Sequence, residues 1–175
     1  KDHWEKNTFT YPIDWSGYNI PSTNIEKALD VFDKETEYDV IMNDIYYFCE
    51  NYPLRFNKPR TDWYLIGASS KDLRTMDHEI AHALFYLDKG YKARMSGLVL
   101  HFKQHWPKEY EKVQIWLKDS GYNKSVFSDE TQAYMSTSTK KELLDKFELD
   151  YDTALPIIKQ FRKVLSEYNT YKKKR

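Results

Sequence analysis

The five residues His78-Glu79-Ile80-Ala81-His82 are the part of this chain whose types and spacing can do chemistry. On an α-helix, two histidines four positions apart lie one above the other, so both imidazoles can reach a single metal ion. Zinc accepts imidazole nitrogen at roughly 2.0–2.1 Å and favours a tetrahedral ligand set. Glu79 falls about 100° round the helix from His78, near enough to reach a water on the ion without binding the ion itself. Water acidified by zinc, with a carboxylate base beside it, is a hydrolytic nucleophile at neutral pH. Average residue usage produces such a pentad by chance in roughly one chain in two hundred of this length, so its surroundings decide its weight.

The pentad must sit on a helix, and Leu73 to Leu87 carries the strongest helical pattern in the chain, with Gly90 expected to end it. Thr75, His78, His82, Phe85 and Tyr86 share one face. Leu73, Met76, Ile80, Ala83, Leu84 and Leu87 share the opposite one, which predicts an apolar stripe buried in the core and histidines facing a cleft. Just upstream, Trp63 to Ala68 (WYLIGA) is rich in aromatic and branched residues and predicts a strand.

Further elements follow from the same signals. Phe9 to Ile20 reads as an extended segment with turns, and Ile25 to Asp33 as a helix capped from Ser22, Thr23 or Asn24. Val40 to Asn51 is a helix ended by Pro53. Pro107 opens a helix to Leu117, and Ser128 caps one through Tyr134. Thr139 with Glu142 makes a capping box for a helix to Phe147, and Thr153 to Tyr168 is amphipathic. The expected class is α+β: a helix-dominated single domain over residues 1–175, with a small sheet beside the histidine helix.

A short strand followed by a helix carrying this pentad resembles the zincin metallopeptidases. The likeness spans roughly Trp63 to Tyr134, and its tight part is the pentad itself. A catalytic zinc site wants three protein ligands and one open position. Metzincins place the third six residues after the second histidine, beyond a glycine; here those positions hold Asp88 and Phe85, so that pattern is broken and only a variant using Asp88 stays open. Gluzincins take a glutamate from a downstream helix, and Glu130, with Ala133 three residues on, resembles that helix, including the one in small enzymes of the ImmA/IrrE type. Small Ala133 would let the two helices approach closely. The resemblance therefore implies one zinc ion held by His78, His82 and Glu130, with Glu79 as general base.

Other donors stay open. His101 and His105 form a second pair four apart, with no acid suitably between them. Peptide deformylases pair this pentad with an upstream cysteine, but Cys49 lies in a different context from theirs and reads as a small buried residue. Zincins also supply a Tyr or His to the developing oxyanion; Tyr134, Tyr91 and His101 are candidates, with Tyr134 first. The resemblance further implies that Trp63–Ala68 is an edge strand, and an open edge pairs with an extended substrate backbone without demanding a particular side chain.

Composition bounds the rest. With 175 residues, 31% of them charged and 41% hydrophobic, the chain can build a core without staples. Acids and bases number 27 each, so nothing global draws it to nucleic acid or a membrane surface, and neither is expected as a partner. The basic run Lys172 to Arg175 reads as a solvated tail. No apolar run is long enough to span a bilayer, and no N-terminal stretch reads as a signal peptide. One cysteine excludes an intramolecular disulfide framework, so a cytoplasmic home is expected, with a Cys-poor secreted or effector protein as the alternative. The sum is an expected zinc metallopeptidase of narrow specificity acting on a peptide or protein. The competing class is a zincin-like binding or effector module without catalysis. Retention of Glu79 favours the enzyme, because a structural metal has no use for a general base.

Overall fold

The computed structural model describes residues 17–30, 37–51, 62–68 and 73–169. Within them the chain is helix-dominated α+β. The order is β1 (Gly17–Pro21), α1 (Ser22–Leu29), α2 (Glu37–Asn51), β2 (Tyr64–Ala68), α3 (Leu73–Leu87), α4 (Lys89–His105), α5 (Pro107–Asp119), a 3-10 turn (Lys124–Val126), α6 (Phe127–Thr137), α7 (Lys140–Phe147) and α8 (Tyr151–Tyr168). The two strands pair antiparallel, with Asn19 opposite Ile66 and Pro21 opposite Tyr64. Among the described residues β2 has β1 on one side and no strand on the other.

The core is built by the later helices. Tyr91, Met95 and Phe102 of α4 are fully buried with Val113 and Leu117 of α5, Met135 of α6, Leu143 of α7, and Ile157, Ile158 and Phe161 of α8. Tyr91 and Met95, Val113 and Leu117, and Ile157 and Phe161 are each four residues apart, which puts each pair on one helical face. Connections are short: Asp88 alone separates α3 from α4, and Trp106 alone separates α4 from α5. Proline at the first position suits α5, since its missing N–H would have no helical partner there. The expected capping box is present on α7: Thr139 Oγ1 accepts from Glu142 N, and the Glu142 carboxylate accepts from Thr139 N at 2.7 Å.

Several expectations need correction. The histidine helix has the expected bounds, but Gly90 does not end it. Asp88 does, by capping a new helix: its Oδ1 accepts from Tyr91 N at 2.8 Å, and Gly90 lies in the first turn of α4. The whole of α4 was unforeseen. Pro21, not Ser22, Thr23 or Asn24, sits at the cap of α1, which ends at Leu29. Ser128 lies inside α6, whose start is set by the preceding 3-10 turn.

The burial of α3 also departs from its apolar stripe. Ala81, His82, Phe85 and Glu79 are buried, whereas Met76, Ile80, Ala83 and Leu84 are half-buried and Leu87 is exposed. The reason is that α6 packs on the histidine side and the sheet beside Glu79, so the polar face is covered on both flanks. Trp63 is buried, just ahead of β2, while Tyr64 to Ala68 are all half-buried. Among the described residues no helix is long and apolar enough to cross a membrane. The first part of the opening segment and the basic run 172–175 lie outside the described residues.

Candidate metal centre

The helical spacing brings His78 and His82 together, with their Nε2 atoms 3.2 Å apart. α6 crosses beside them and delivers Glu130 from its first turn. Glu130 Oε2 stands 3.6 Å from His82 Nε2 and 3.9 Å from His78 Nε2. Fully buried Ala81 and Ala133 are the small residues on the two packed helices. His78, His82 and Glu130 form the one group of three or more such donors, among the described residues, that could hold a metal ion.

The donor set fits zinc on three counts. Four ligands at roughly 2.0–2.1 Å in a tetrahedron stand about 3.4 Å from one another, and the three observed separations bracket that value. Glu130 Oε2 is buried and makes no hydrogen bond, an arrangement that costs free energy unless a cation meets it. The third count is the proton bookkeeping of the imidazoles. His82 Nδ1 lies 2.9 Å from Asp129 Oδ1, and an ionised carboxylate only accepts, so Nδ1 carries the proton. His78 Nδ1 lies 3.2 Å from Thr137 Oγ1, whose own proton is donated to the Ala133 carbonyl at 2.7 Å. Thr137 must therefore accept from His78. Both Nδ1 atoms being donors, Nε2 is the nitrogen of each ring that faces the shared point, and it is free to ligate a metal once His82 gives up its second proton.

Electrostatics agree with the geometry. Burial, and then the neighbouring His82, hold the His78 imidazole down at about 3, so it is neutral. At His82 burial also lowers the pKa, but the hydrogen bond and charge of Asp129, with Glu130 and Glu79, outweigh it and raise it to about 9. Burial pushes Glu130 up to about 7, with Asp129 and Glu79 adding to the rise against His82. One proton is thus shared within a cluster that a divalent cation would satisfy outright.

Glu79 leaves the helix on the flank facing the sheet. Asn19 Nδ2 of β1 donates to Glu79 Oε2, and Tyr64 of β2 donates its hydroxyl to Asn19 Oδ1 at 2.5 Å. Burial raises the Glu79 carboxyl above its ordinary range, while the Asn19 bond works against that rise. Tyr64 stacks near Tyr86, ring centroids 5.4 Å apart, and Tyr86 is exposed.

Tyr134 packs its ring against His78, centroids 4.6 Å apart. Its hydroxyl lies 3.2 Å from that of Tyr122, and Lys146 sits over the ring at 4.7 Å. The rival donors are elsewhere. Asp88 is committed to capping α4. His101 and His105 stack on each other and on Trp106 at the far end of α4. Tyr91 is fully buried, and Cys49 lies half-buried on α2, outside the cluster. Asn19, Tyr64, Asp129 and Thr137 escaped the sequence reading. Asp129, next to Glu130 in the first turn of α6, was the one with a local signal.

No protein-family model, curated protein or solved structure matches the chain. What the cluster can do is set by its own atoms.

Proposed function

We propose that this chain is a small zinc-dependent peptidase in which His78, His82 and Glu130 hold one zinc ion and Glu79 is the general base. The observation that carries the reading is the convergence of His78 Nε2, His82 Nε2 and Glu130 Oε2 within 4.8 Å of one another, with Glu79 next to the first ligand in sequence. A bound zinc supplies Lewis acidity, acidifying water and polarising a carbonyl. Glu79 takes a proton from the attacking water and returns it to the leaving nitrogen. Asn19 aims the carboxylate by holding one of its oxygens, which leaves the other for the proton. Its burial brings its proton affinity closer to that of the groups it serves. Asp129 and Thr137 hold the two imidazoles with Nε2 facing inward.

Tyr134 is the donor to the developing oxyanion. The Tyr122 hydroxyl can donate to Tyr134 Oη, which frees the Tyr134 proton for the substrate. The edge of β2 that has no strand beside it among the described residues receives an extended peptide, whose amides and carbonyls need backbone partners. A clamped, buried Glu79 favours catalysis over a purely structural metal, which would leave that carboxylate without a task.

The test is metal content followed by one isosteric substitution. Purified protein supplied with zinc should carry about one ion per chain by elemental analysis. Glu79→Gln should keep the zinc and lower hydrolysis of a peptide library by about 10²–10⁴-fold, because an amide cannot take the proton. Zinc-free wild-type protein would sink the proposal. Near-normal turnover by the Gln variant would remove Glu79 as base, and bound zinc without hydrolysis of any peptide would point to a binding module.

A further inference from the structure

Gln132 is a fully buried amide in the middle of α6. Its Nε2 donates to the Ala81 carbonyl of α3 at 3.2 Å and to Asp129 Oδ1 at 3.0 Å. Its Oε1 accepts from the Tyr91 hydroxyl of α4 at 2.9 Å. The orientation of the amide is forced, because a carbonyl and a carboxylate can only accept, so the NH₂ group must face them. Asp129 Oδ1 is also the atom that takes the proton of His82 Nδ1. The hydrogen bonds therefore run with one polarity from Tyr91 to Gln132 to Asp129, where His82 meets them.

We propose that Gln132, held by Tyr91, is a positioning residue of the metal centre: it fixes the Asp129 carboxylate and thereby aims His82 Nε2 at the ion. This rests on the reading of His78, His82 and Glu130 as ligands and adds residues that reading does not contain. The physical case is one of torsional freedom. A carboxylate on the first turn of a helix, holding one imidazole, can still turn about its own Cβ–Cγ bond. A second donor on the same oxygen removes that freedom. An apolar side chain of equal volume would fill the core without the cost of burying an amide, so three satisfied bonds at this position point to a geometric demand. The rival account is plain adhesion: the bond to Ala81 joins α3 to α6 whether or not a metal is present.

Gln132→Met keeps length and approximate volume while removing all three bonds, and Tyr91→Phe removes one hydroxyl. Gln132→Met should weaken zinc binding by about 10- to 100-fold, the usual cost of losing a group behind a ligand, and Tyr91→Phe should weaken it less. With cobalt in place of zinc, the visible absorption should change in both variants. The Nδ1–H signal of His82 in a nitrogen-15 imidazole spectrum should broaden or shift. In an Asp129→Ala background Gln132→Met should cause no further loss of affinity, because its effect passes through Asp129. A lower unfolding midpoint with unaltered zinc affinity and cobalt spectrum, or losses that simply add to those of Asp129→Ala, would establish adhesion and overturn the proposal. Should Gln132→Met not fold, an unaltered cobalt spectrum and His82 signal in Tyr91→Phe would overturn it equally. Zinc-free wild-type protein would bring down the metal-centre reading and this inference with it. Wild-type zinc binding matched by Gln132→Met would bring down this inference alone.

Discussion

The two flanks of α3 are held in different ways. On the ligand flank, α6 lies against α3 and is itself embedded among α4, α5 and α8, where Gln132, Ala133 and Met135 are fully buried. On the base flank, Glu79 is held through Asn19 and Tyr64 by a sheet that has two strands among the described residues. A two-stranded sheet has little stability of its own and depends on what it packs against. Beyond it, α2 leaves Val40, Ile41 and Tyr47 exposed at 46%, 54% and 68%. On the proposed function, the metal ligands are anchored in the dense helical core, and the carboxylate that would transfer the proton is held from the sheet side. A ligand set must keep its geometry throughout a catalytic cycle, whereas a base must give up and recover a proton beside a substrate that comes and goes. The division of labour in the proposed function matches the division in packing.

That contrast can be broken by experiment. Phe102→Ala, in the fully buried core of α4, should cost about 3–5 kcal/mol in chemical unfolding. A smaller cost would mean the helical core is looser than its burial indicates. Glu130→Ala comes next: zinc affinity should fall by more than the roughly 10- to 100-fold expected for a group behind a ligand, with the fold retained. Equal zinc affinity in variant and wild type would exclude Glu130 as a ligand. Asn19→Ala should leave zinc affinity unaltered and lower kcat by about 10-fold with little change in KM, because it loosens Glu79 and frees the Tyr64 hydroxyl without touching a proposed ligand. Loss of zinc in Asn19→Ala would show that the two flanks are not separable. The smallest effect belongs to Ile41→Ala, expected within about 0.5 kcal/mol of wild type in the same unfolding measurement. A cost like that of Phe102→Ala would mean α2 is part of the core after all.

What could be read from the sequence was what is local. The bounds of α3 follow from periodicity, and the cap of α7 from Thr139 and Glu142 three residues apart. His78 and His82 meet because a helix places them so. Glu130 was reached through a resemblance, and the structure brings it to the same point. The failures are non-local or rest on one misread residue. Gly90 looked like a helix end, although Asp88 before it is a capping residue. Tyr91, Met95 and Phe102 after it already carried the helical spacing of α4. The covered face of α3 was misjudged because apolar content was used to choose it, while its cover comes from residues far along the chain. Asn19 reaches Glu79 across 60 residues, and Gln132 reaches Ala81 across 51. No local pattern marks an asparagine on a strand or a glutamine on a buried helix as part of a site.

Those separations bear on how the molecule is made. The joints between α3, α4 and α5 are single residues, so neighbouring helices can find each other over short loops and at small entropic cost. The meeting of α3 with α6 closes a far longer loop, as does the pairing of β1 with β2. The meeting of His78, His82 and Glu130 therefore depends on contacts of long sequence separation, which cost the most loop entropy to close. Zinc cannot template this chain as it does a zinc finger, whose ligands lie close in sequence. On the proposed function the ion would come last, to ligands already assembled, and a chain still short of those contacts would have nowhere to hold it.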